Sequence, residues 1–496
     1  LLTYHKKLDD KHVIDVMAGH EFSKDEDWSM DAYKKNMFYP GIPELGNAIE
    51  ALDDGSTSST VKSAIEGYFF RGNYIFDDRY SASLSYRYDG SSQFAYDQWG
   101  HFWSVGGAWT VSNEEWMSDA TWVDNLRVRA TYGVSGNKLS SAYPYTNLWT
   151  ISESNGAPAI SQSSTGNRNL SWERNKQVDL GVDFRFLDRL SGSLEYYHRT
   201  TEDMLMASRI PLTTGFSSMT KNVGSLWNQG FEAQLDVDII NNNDLQWTFG
   251  VNFSMNRSKI LDLDQNEYLS AGSGLRVVQG QQMYQFYLYD YAGVNPINGE
   301  ALWYTEADEN GEKLITTDFT KAGRIYKGSP EALAMGGFNT SLNWKGIDFS
   351  ASFEYKIGNY ILNPDNQIFW NDGANFGYNQ LTVAAGEGAY WKEIGDTGVN
   401  PKPIADNGTN SSYTVSTRFL ERGDYLRVKD LTLGYTFPSK LMKKAAINNL
   451  RVYLSGYNLF TFHDTNCYDP ERGQTGTSLG IYPITKSFVV GLDISF

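Results

Sequence analysis

At 496 residues the chain is too long for one ordinary compact domain, and it suits either a single large barrel or several smaller domains. Lys and Arg number 42 against 59 Asp and Glu, a formal net charge of −17, which argues against nucleic acid as a partner because phosphates need basic surface. Cys467 is the only cysteine, so no intrachain disulfide can form, and no apolar run reaches the ~18–20 residues of a transmembrane helix.

The chain begins Leu-Leu-Thr, with neither Met nor a leader pattern, which a removed signal peptide or a missing front would each explain. From there a period of two recurs. Tyr80, Ala82, Leu84, Tyr86 and Tyr88 face one way, against Ser81, Ser83, Ser85 and Arg87. Val178, Leu180, Val182, Phe184 and Phe186 oppose Gln177, Asp179, Gly181, Asp183 and Arg185. Phe231–Ile239, Trp247–Asn256 and Ile347–Ile357 repeat the alternation, and the chain closes on Phe488, Val490, Leu492, Ile494 and Phe496 along one face. A soluble sandwich would bury such apolar faces in a core about 10 Å thick. Three features favour a membrane barrel instead.

The runs are about ten residues long, the length of a tilted membrane crossing. Connections alternate in length. Tight turns fall at Leu8–Lys11, Asp77–Arg79, Leu187–Arg189, Asn241–Asp244 and Lys345–Gly346. Long loops fall at Ser23–Ser63, Val134–Arg174, Thr201–Asn228, Leu261–Glu331, Gly358–Thr417 and Thr461–Thr485, as in an outer-membrane barrel with short turns at one rim. Aromatics gather near run ends, as a girdle requires: Tyr68, Tyr74, Tyr80, Trp109, Trp247, Trp344, Tyr355 and Tyr435. The count is roughly fifteen strands, with a hairpin over Phe286–Trp303 inside a long loop. The fold class is therefore all-β, an antiparallel transmembrane barrel. The first and last runs both descend toward the short turns, so an even-stranded barrel requires a further strand before Leu1.

Motifs for chemistry are sparse. The six His residues are scattered, and His20-Glu21 has no second His at zincin spacing. Glu306-Ala-Asp308-Glu-Asn310-Gly311 has the front of an EF-hand loop but Thr317 at the twelfth position. It reads as a solvated turn rich in carboxylates, with non-EF calcium binding left open. Nucleophile-elbow, Walker and dinucleotide fingerprints are missing, and no carboxylate pair stands out as catalytic. The chain is thus read as a non-enzyme without cofactor or metal. Loop aromatics beside amides and carboxylates are the candidate substrate contacts: Phe369, Trp370, Asn371, Asp372, Tyr390 and Trp391. Flat rings next to hydrogen-bonding groups suit sugar or peptide ligands, although the same residues could pack a large loop on itself or on a partner.

Seven segments, in order, carry a family resemblance: Tyr88-Asp-Gly-Ser-Ser-Gln-Phe94, Tyr132-Gly-Val-Ser-Gly-Asn137, Asn169-Leu-Ser-Trp-Glu173, Thr201-Glu-Asp-Met-Leu205, Asn222-Val-Gly-Ser-Leu-Trp-Asn-Gln-Gly-Phe-Glu232, Gly423–Tyr435 and Tyr468-Asp-Pro-Glu471. Together they resemble the SusC/RagA family of TonB-dependent outer-membrane transporters of Bacteroidetes-type bacteria. The resemblance implies a plugged barrel of about 22 strands, of which residues 1–496 would be the C-terminal portion, without plug or first strands. It implies import of oligosaccharides or peptides, energised by the TonB complex through the plug. It also implies a SusD-like lipoprotein lid, a dimer of such pairs, and a location in outer-membrane lipid. A secreted or surface β-rich glycan-binding adhesin or lectin, and a surface glycan hydrolase, are the rival readings.

Overall fold

The computed structural model describes the whole chain except residues 40, 43, 52–56, 139–142, 156, 273, 375–389, 406–410, 443–445, 478 and 481. Fifteen long strands follow one another in chain order: β1 (Leu2–Lys7), β2 (His12–Asp31), β3 (Thr57–Phe76), β4 (Tyr80–Ser91), β5 (Trp99–Thr110), β6 (Val123–Asn137), β7 (Glu173–Phe186), β8 (Leu190–Glu202), β9 (Ser225–Asn241), β10 (Leu245–Asp262), β11 (Ala334–Trp344), β12 (Ile347–Ile357), β13 (Tyr425–Thr436), β14 (Asn449–His463) and β15 (Ser487–Ser495). Each pairs with its sequence neighbour in a single sheet whose order begins at β1 and ends at β15. The five tight turns lie where the alternation breaks, and Asp77, Asp78, Leu187, Asp188 and Lys345 there take the left-handed conformation that two-residue hairpin turns demand.

Two expectations need correction. The loop expected at Ser23–Ser63 is largely strand, because β2 and β3 pair without a break from His12↔Phe76 to Asp31↔Thr57. In Lys24–Asp31 only Trp28 and Met30 are apolar, too few for a clear period-2 signal; its pairing with Thr57–Ala64 is held by the backbone ladder, with Glu26–Lys62 at 3.1 Å and Ser29–Ser59 at 2.8 Å across it. Tyr68 consequently sits within β3, not near its end. Two connections on the short-turn side, 111–122 and 437–448, are longer than a tight turn and contain 3-10 or short helical segments.

By spatial contact the chain forms two compact units. The first comprises Leu1–Trp109, Ala130–Val178 and Thr200–Ser225, and the second Thr110–Arg129, Asp179–Arg199 and Leu226–Phe496.

In the first unit the apolar face of β2–β5 points outward. Leu84 is 47% exposed and Val105 47%, as paired neighbours in mid-strand, and Phe70, Tyr86 and Trp103 are similarly open. Two aromatic rows bound this face. His12, Phe76, Tyr80 and Trp109 stand side by side next to the turns, and His20, Tyr68, Tyr88 and His101 form a second row. The rows are eight residues apart on every strand, which is about 26 Å along a strand. Between them lie Ile14, Val16, Tyr74, Phe70, Leu84 and Val105. An apolar band of about this height between aromatic girdles is what a barrel presents to lipid. The rings of the outer row pack closely, with centroids 4.8 Å apart for His20–Tyr68 and 4.6 Å for Tyr88–His101.

The second unit also has an open apolar face, in β13–β15. Leu433, Leu454, Val490 and Leu492 are more than half exposed on one face. On the other, Arg451 reaches Asp348 at 2.6 Å and Asp493 at 3.2 Å. Gly434 lies beneath that pair, and a Cβ there would overlap the Asp348 carboxylate.

Candidate substrate-binding loops

The loops hold nearly all of the fully buried apolar side chains. In the first unit Phe94, Leu170 and Leu205 form a cluster against Trp172. Polar groups lock it. The Asn222 side chain accepts from the Ser171 N–H at 2.8 Å and donates to the Ser171 carbonyl at 2.8 Å. Glu173 accepts from the Leu205 N–H at 2.7 Å and from Asn137 at 3.0 Å, and Lys138 donates to Gln93 at 2.6 Å. Five of the seven resemblance segments thus meet in one knot at the long-loop end of the strands. Their residue types are explained by mutual packing and hydrogen bonding. Beside the knot lies a cavity of about 550 Å³ lined by Trp99, Phe102, Trp172, Arg174 and Lys176 among others. Lys176 is paired with Glu202 there at 2.6 Å.

In the second unit the connections 263–333, 358–424 and 464–486 pack on one another. Leu275, Phe286, Leu288, Leu362 and Phe419 make the core, joined by Trp370, Tyr284 and Val415. Buried ion pairs tie the connections together. Arg418 grips Asp372 at 2.5 and 3.0 Å, and also donates to the Ser412 carbonyl at 3.0 Å and Asn400 at 2.8 Å. Arg472 reaches Asp365 across 107 residues at 2.5 Å. Arg427 spans Asp469 at 2.7 Å and Glu471 at 3.0 Å. Charges so deeply buried persist only when paired and hydrogen-bonded.

The six candidate contacts divide. Asn371 and Asp372 are buried, Asn371 donating to the Ile368 carbonyl at 2.7 Å and Asp372 held by Arg418 and Ser412. Trp391 is buried against Gly299, where its indole N–H donates to the Pro296 carbonyl at 3.2 Å. Phe369, Trp370 and Tyr390 are half-buried; Trp370 leans on the apolar core and Tyr390 bridges to Asn400. Ala389, the residue before Tyr390, lies outside the described residues. The hairpin expected over Phe286–Trp303 is present as Tyr291–Val294 paired with Ala301–Tyr304. The EF-like segment is a turn in which Asp308 accepts from the N–H groups of Asn310 at 2.9 Å and Glu312 at 2.8 Å. Among the described residues no group of three or more His, Cys, Asp and Glu is placed to hold a metal.

Burial and backbone donors tune three loop groups. Burial drives the Tyr291 hydroxyl up to about 12 and raises Glu331 above the usual carboxylate range. The N–H groups of Lys392 and Glu393 hold Asp396 below it.

One feature escaped the sequence reading. A small sheet of Tyr268–Ser270, Leu275–Val278, Gln285–Tyr289 and Arg324–Tyr326 buries Leu275, Val277, Phe286 and Leu288 on one face. Its other face is a stack of rings and guanidinium groups. Arg276 lies 3.6 Å from the Tyr268 centroid and 3.7 Å from that of Tyr287, and its guanidinium also meets the Tyr326 hydroxyl. Arg324 lies 4.1 Å from the Tyr289 centroid and 5.8 Å from Tyr287. The alternation of Gln285, Tyr287 and Tyr289 with Phe286 and Leu288 was the available signal; the partners are scattered over 59 residues of chain, from Tyr268 to Tyr326.

A model of the TonB-dependent receptor-like β-barrel matches residues 3–459. The chain belongs to that family. Its fold is accordingly the all-β antiparallel barrel expected from the sequence, of SusC type by its relatives. The TonB-dependent receptors P3 and P26 of Formosa agariphila are each 28% identical over 100% of this chain and 52% of their own length. The TonB-dependent receptor SusC of Bacteroides thetaiotaomicron is 27% identical over 89% of this chain and 44% of its own. Among solved structures, the RagAB peptide transporter superposes with a TM-score of 0.84 at 31% identity, over 100% of this chain and 54% of that one. The RagAB peptide importer in its closed-closed state gives 0.84 at 30%, covering 55% of that chain. The chain spans about half the length of the curated relatives it matches.

Proposed function

We propose that this chain is the lipid-embedded barrel portion of an outer-membrane transporter that imports oligosaccharides or peptides into the periplasm of a Bacteroidetes-type bacterium. The observation that carries the reading is the outward apolar band between two aromatic rows in β2–β5, opposite a face rich in ionised and hydroxyl groups. A soluble adhesin would have to cover that band with a second layer, and a row holding Leu84 and Val105 half exposed suits lipid, not water. The names of the relatives, TonB-dependent receptors and a peptide importer, support energised import. On this reading the energy comes through TonB, and a SusD-like lipoprotein covers the long loops in a dimer of such pairs.

The packed loops of the second unit form the capture surface. Phe369, Trp370 and Tyr390 offer ring surface, while Asn371, Asp372 and Trp391 hold the loop in shape. The same protein would act without chemistry on its cargo. A deletion strain of the source bacterium tests this through growth and uptake on defined oligosaccharides and peptides. Loss of uptake of at least one polymer class is expected; unchanged uptake of every one would end the transport reading.

A further inference from the structure

The outward face of the small loop sheet has a charge character opposite to the chain as a whole. Arg276 and Arg324 stand on it among Tyr268, Tyr287, Tyr289 and Tyr326. Most arginines of the second unit's loops are committed to carboxylates, as in the Arg418–Asp372, Arg422–Asp424 and Arg472–Asp365 pairs. Arg276 and Arg324 have rings instead. The nearest carboxylate engagement is that of Glu306, which accepts the Arg324 backbone N–H at 2.9 Å and leaves the guanidinium to Tyr289. Arg324 and Tyr326 are exposed, and the sheet's opposite face is anchored in the apolar core. The stack is therefore rigid, and stacking holds each planar fork in a set orientation.

We propose that this face binds an anionic oligosaccharide, whose acid groups dock on Arg276 and Arg324 while its sugar units lie along the tyrosine row. The inference rests on the import reading above and names its substrate class. The physical case has three parts. Guanidinium groups held flat match carboxylate or sulfate oxygens in a bidentate fashion. Both guanidinium groups flank the Tyr287 ring, so two acid groups of one short oligomer can be held at once. Phenol rings and hydroxyls beside a cation contact both the apolar and the hydroxyl surfaces of a sugar. An acidic peptide would bring acid groups but would bind most strongly through main-chain pairing at a strand edge, whereas the stack is a sheet face built of side chains from all four strands. The net charge of −17 weighs against polyanions over the chain as a whole; this face is a local exception to it.

The test uses the full-length protein, with its partner, purified in detergent. Hexameric oligogalacturonate, a sulfated galactan hexamer, a neutral galactan hexamer and hexaglutamate are titrated by calorimetry at two salt concentrations. The account expects one of the two acidic glycans to bind, which identifies uronate or sulfate, with affinity falling as salt rises. The Arg276→Gln/Arg324→Gln variant should lose that binding about tenfold or more while keeping heat-modifiable migration on gels. Equal binding of the neutral hexamer, tighter binding of hexaglutamate, no binding of any glycan, or an unchanged affinity in the variant would each overturn the proposal. Uptake by the deletion strain is scored separately, so that import of a neutral cargo would leave the transport reading standing while this assignment fell.

Discussion

Replacing Arg418 by Met should open the loop packing of the second unit without undoing the strands. The Arg418 and Asp372 side chains are 5% and 4% exposed, and Arg418 contributes four hydrogen bonds, two of them to Asp372. Its removal leaves a buried carboxylate with Ser412 as its remaining hydrogen-bond donor of that group. Breaking a buried pair from one side costs about 3–5 kcal/mol, because the surviving charge is uncompensated. At 1.4 kcal/mol per factor of ten, that is about two to three and a half orders of magnitude in local opening. Hydrogen exchange on the full-length protein reads it directly, at the amides of Tyr291, Lys402 and Ile404, whose N–H groups bond to the Thr417 hydroxyl, the Gly299 carbonyl and the Asp372 carbonyl, far along the chain. Exchange there should accelerate at least a hundredfold, with the β12–β13 ladder unchanged. The Arg418→Met/Asp372→Asn double variant removes both charges and should recover most of the protection. Acceleration below tenfold in the single variant, or a double variant worse than the single, would refute the view that this pair organises the loop.

Charge placed on the outward band should be costly. Leu84→Arg is expected to weaken folding into bilayers by ~2–4 kcal/mol in urea titrations, whereas Ser85→Arg on the opposite face should have little effect. Gly136→Ala should destabilise by about 1–3 kcal/mol, since its Cβ would overlap the Phe102 ring, which already rests on Gly100 and Trp172; adding Phe102→Leu should return part of the loss in the same assay. Glu331 gives a pH signature. Burial raises its folded value, so below its unfolded value both states are protonated and the stabilisation is complete. As pH rises through the raised folded value the carboxylate must ionise while buried, and the contribution is lost. Protection of the Met283 amide, which bonds to Ser258 against Glu331, should therefore fall across that window after correction for intrinsic exchange, and Glu331→Gln should flatten the trend.

The barrel strands were legible because one face meets lipid and the other water, which forces alternation wherever both contacts exist. β4 and β15 read correctly for that reason. Where both faces of a strand are exposed, as in Lys24–Asp31, the alternation fades, and pairing rests on the backbone ladder with a few polar contacts across it, Glu26–Lys62 and Ser29–Ser59 among them. The connection at 111–122 lacks the tight-turn pair that marked Asp77–Arg79, so its position was not anticipated. The loop site was legible only as residue types. Trp391 and Phe369 read alike in the sequence; whether a ring is buried depends on Gly299 and Pro296, nearly a hundred residues away. The Tyr–Arg stack was missed for the same reason, since its strands are short and its partners converge only after the loop folds. The resemblance segments were informative about family, and the structure gives the physical reason: residues 88–94, 132–137, 169–173, 201–205 and 222–232 meet in one knot.

The central claim is that the apolar face of the sheet meets lipid. In a background lacking Cys467, the only thiol of these 496 residues, and any cysteine elsewhere in the full-length protein, single cysteines are placed in turn at positions 81 to 86 and labelled with a fluorophore in liposomes. The account predicts that a lipid-borne quencher reaches labels at Ala82, Leu84 and Tyr86, while a water-soluble quencher reaches those at Ser81, Ser83 and Ser85. Water quenching at all six positions, or lipid quenching on the serine face, would contradict it.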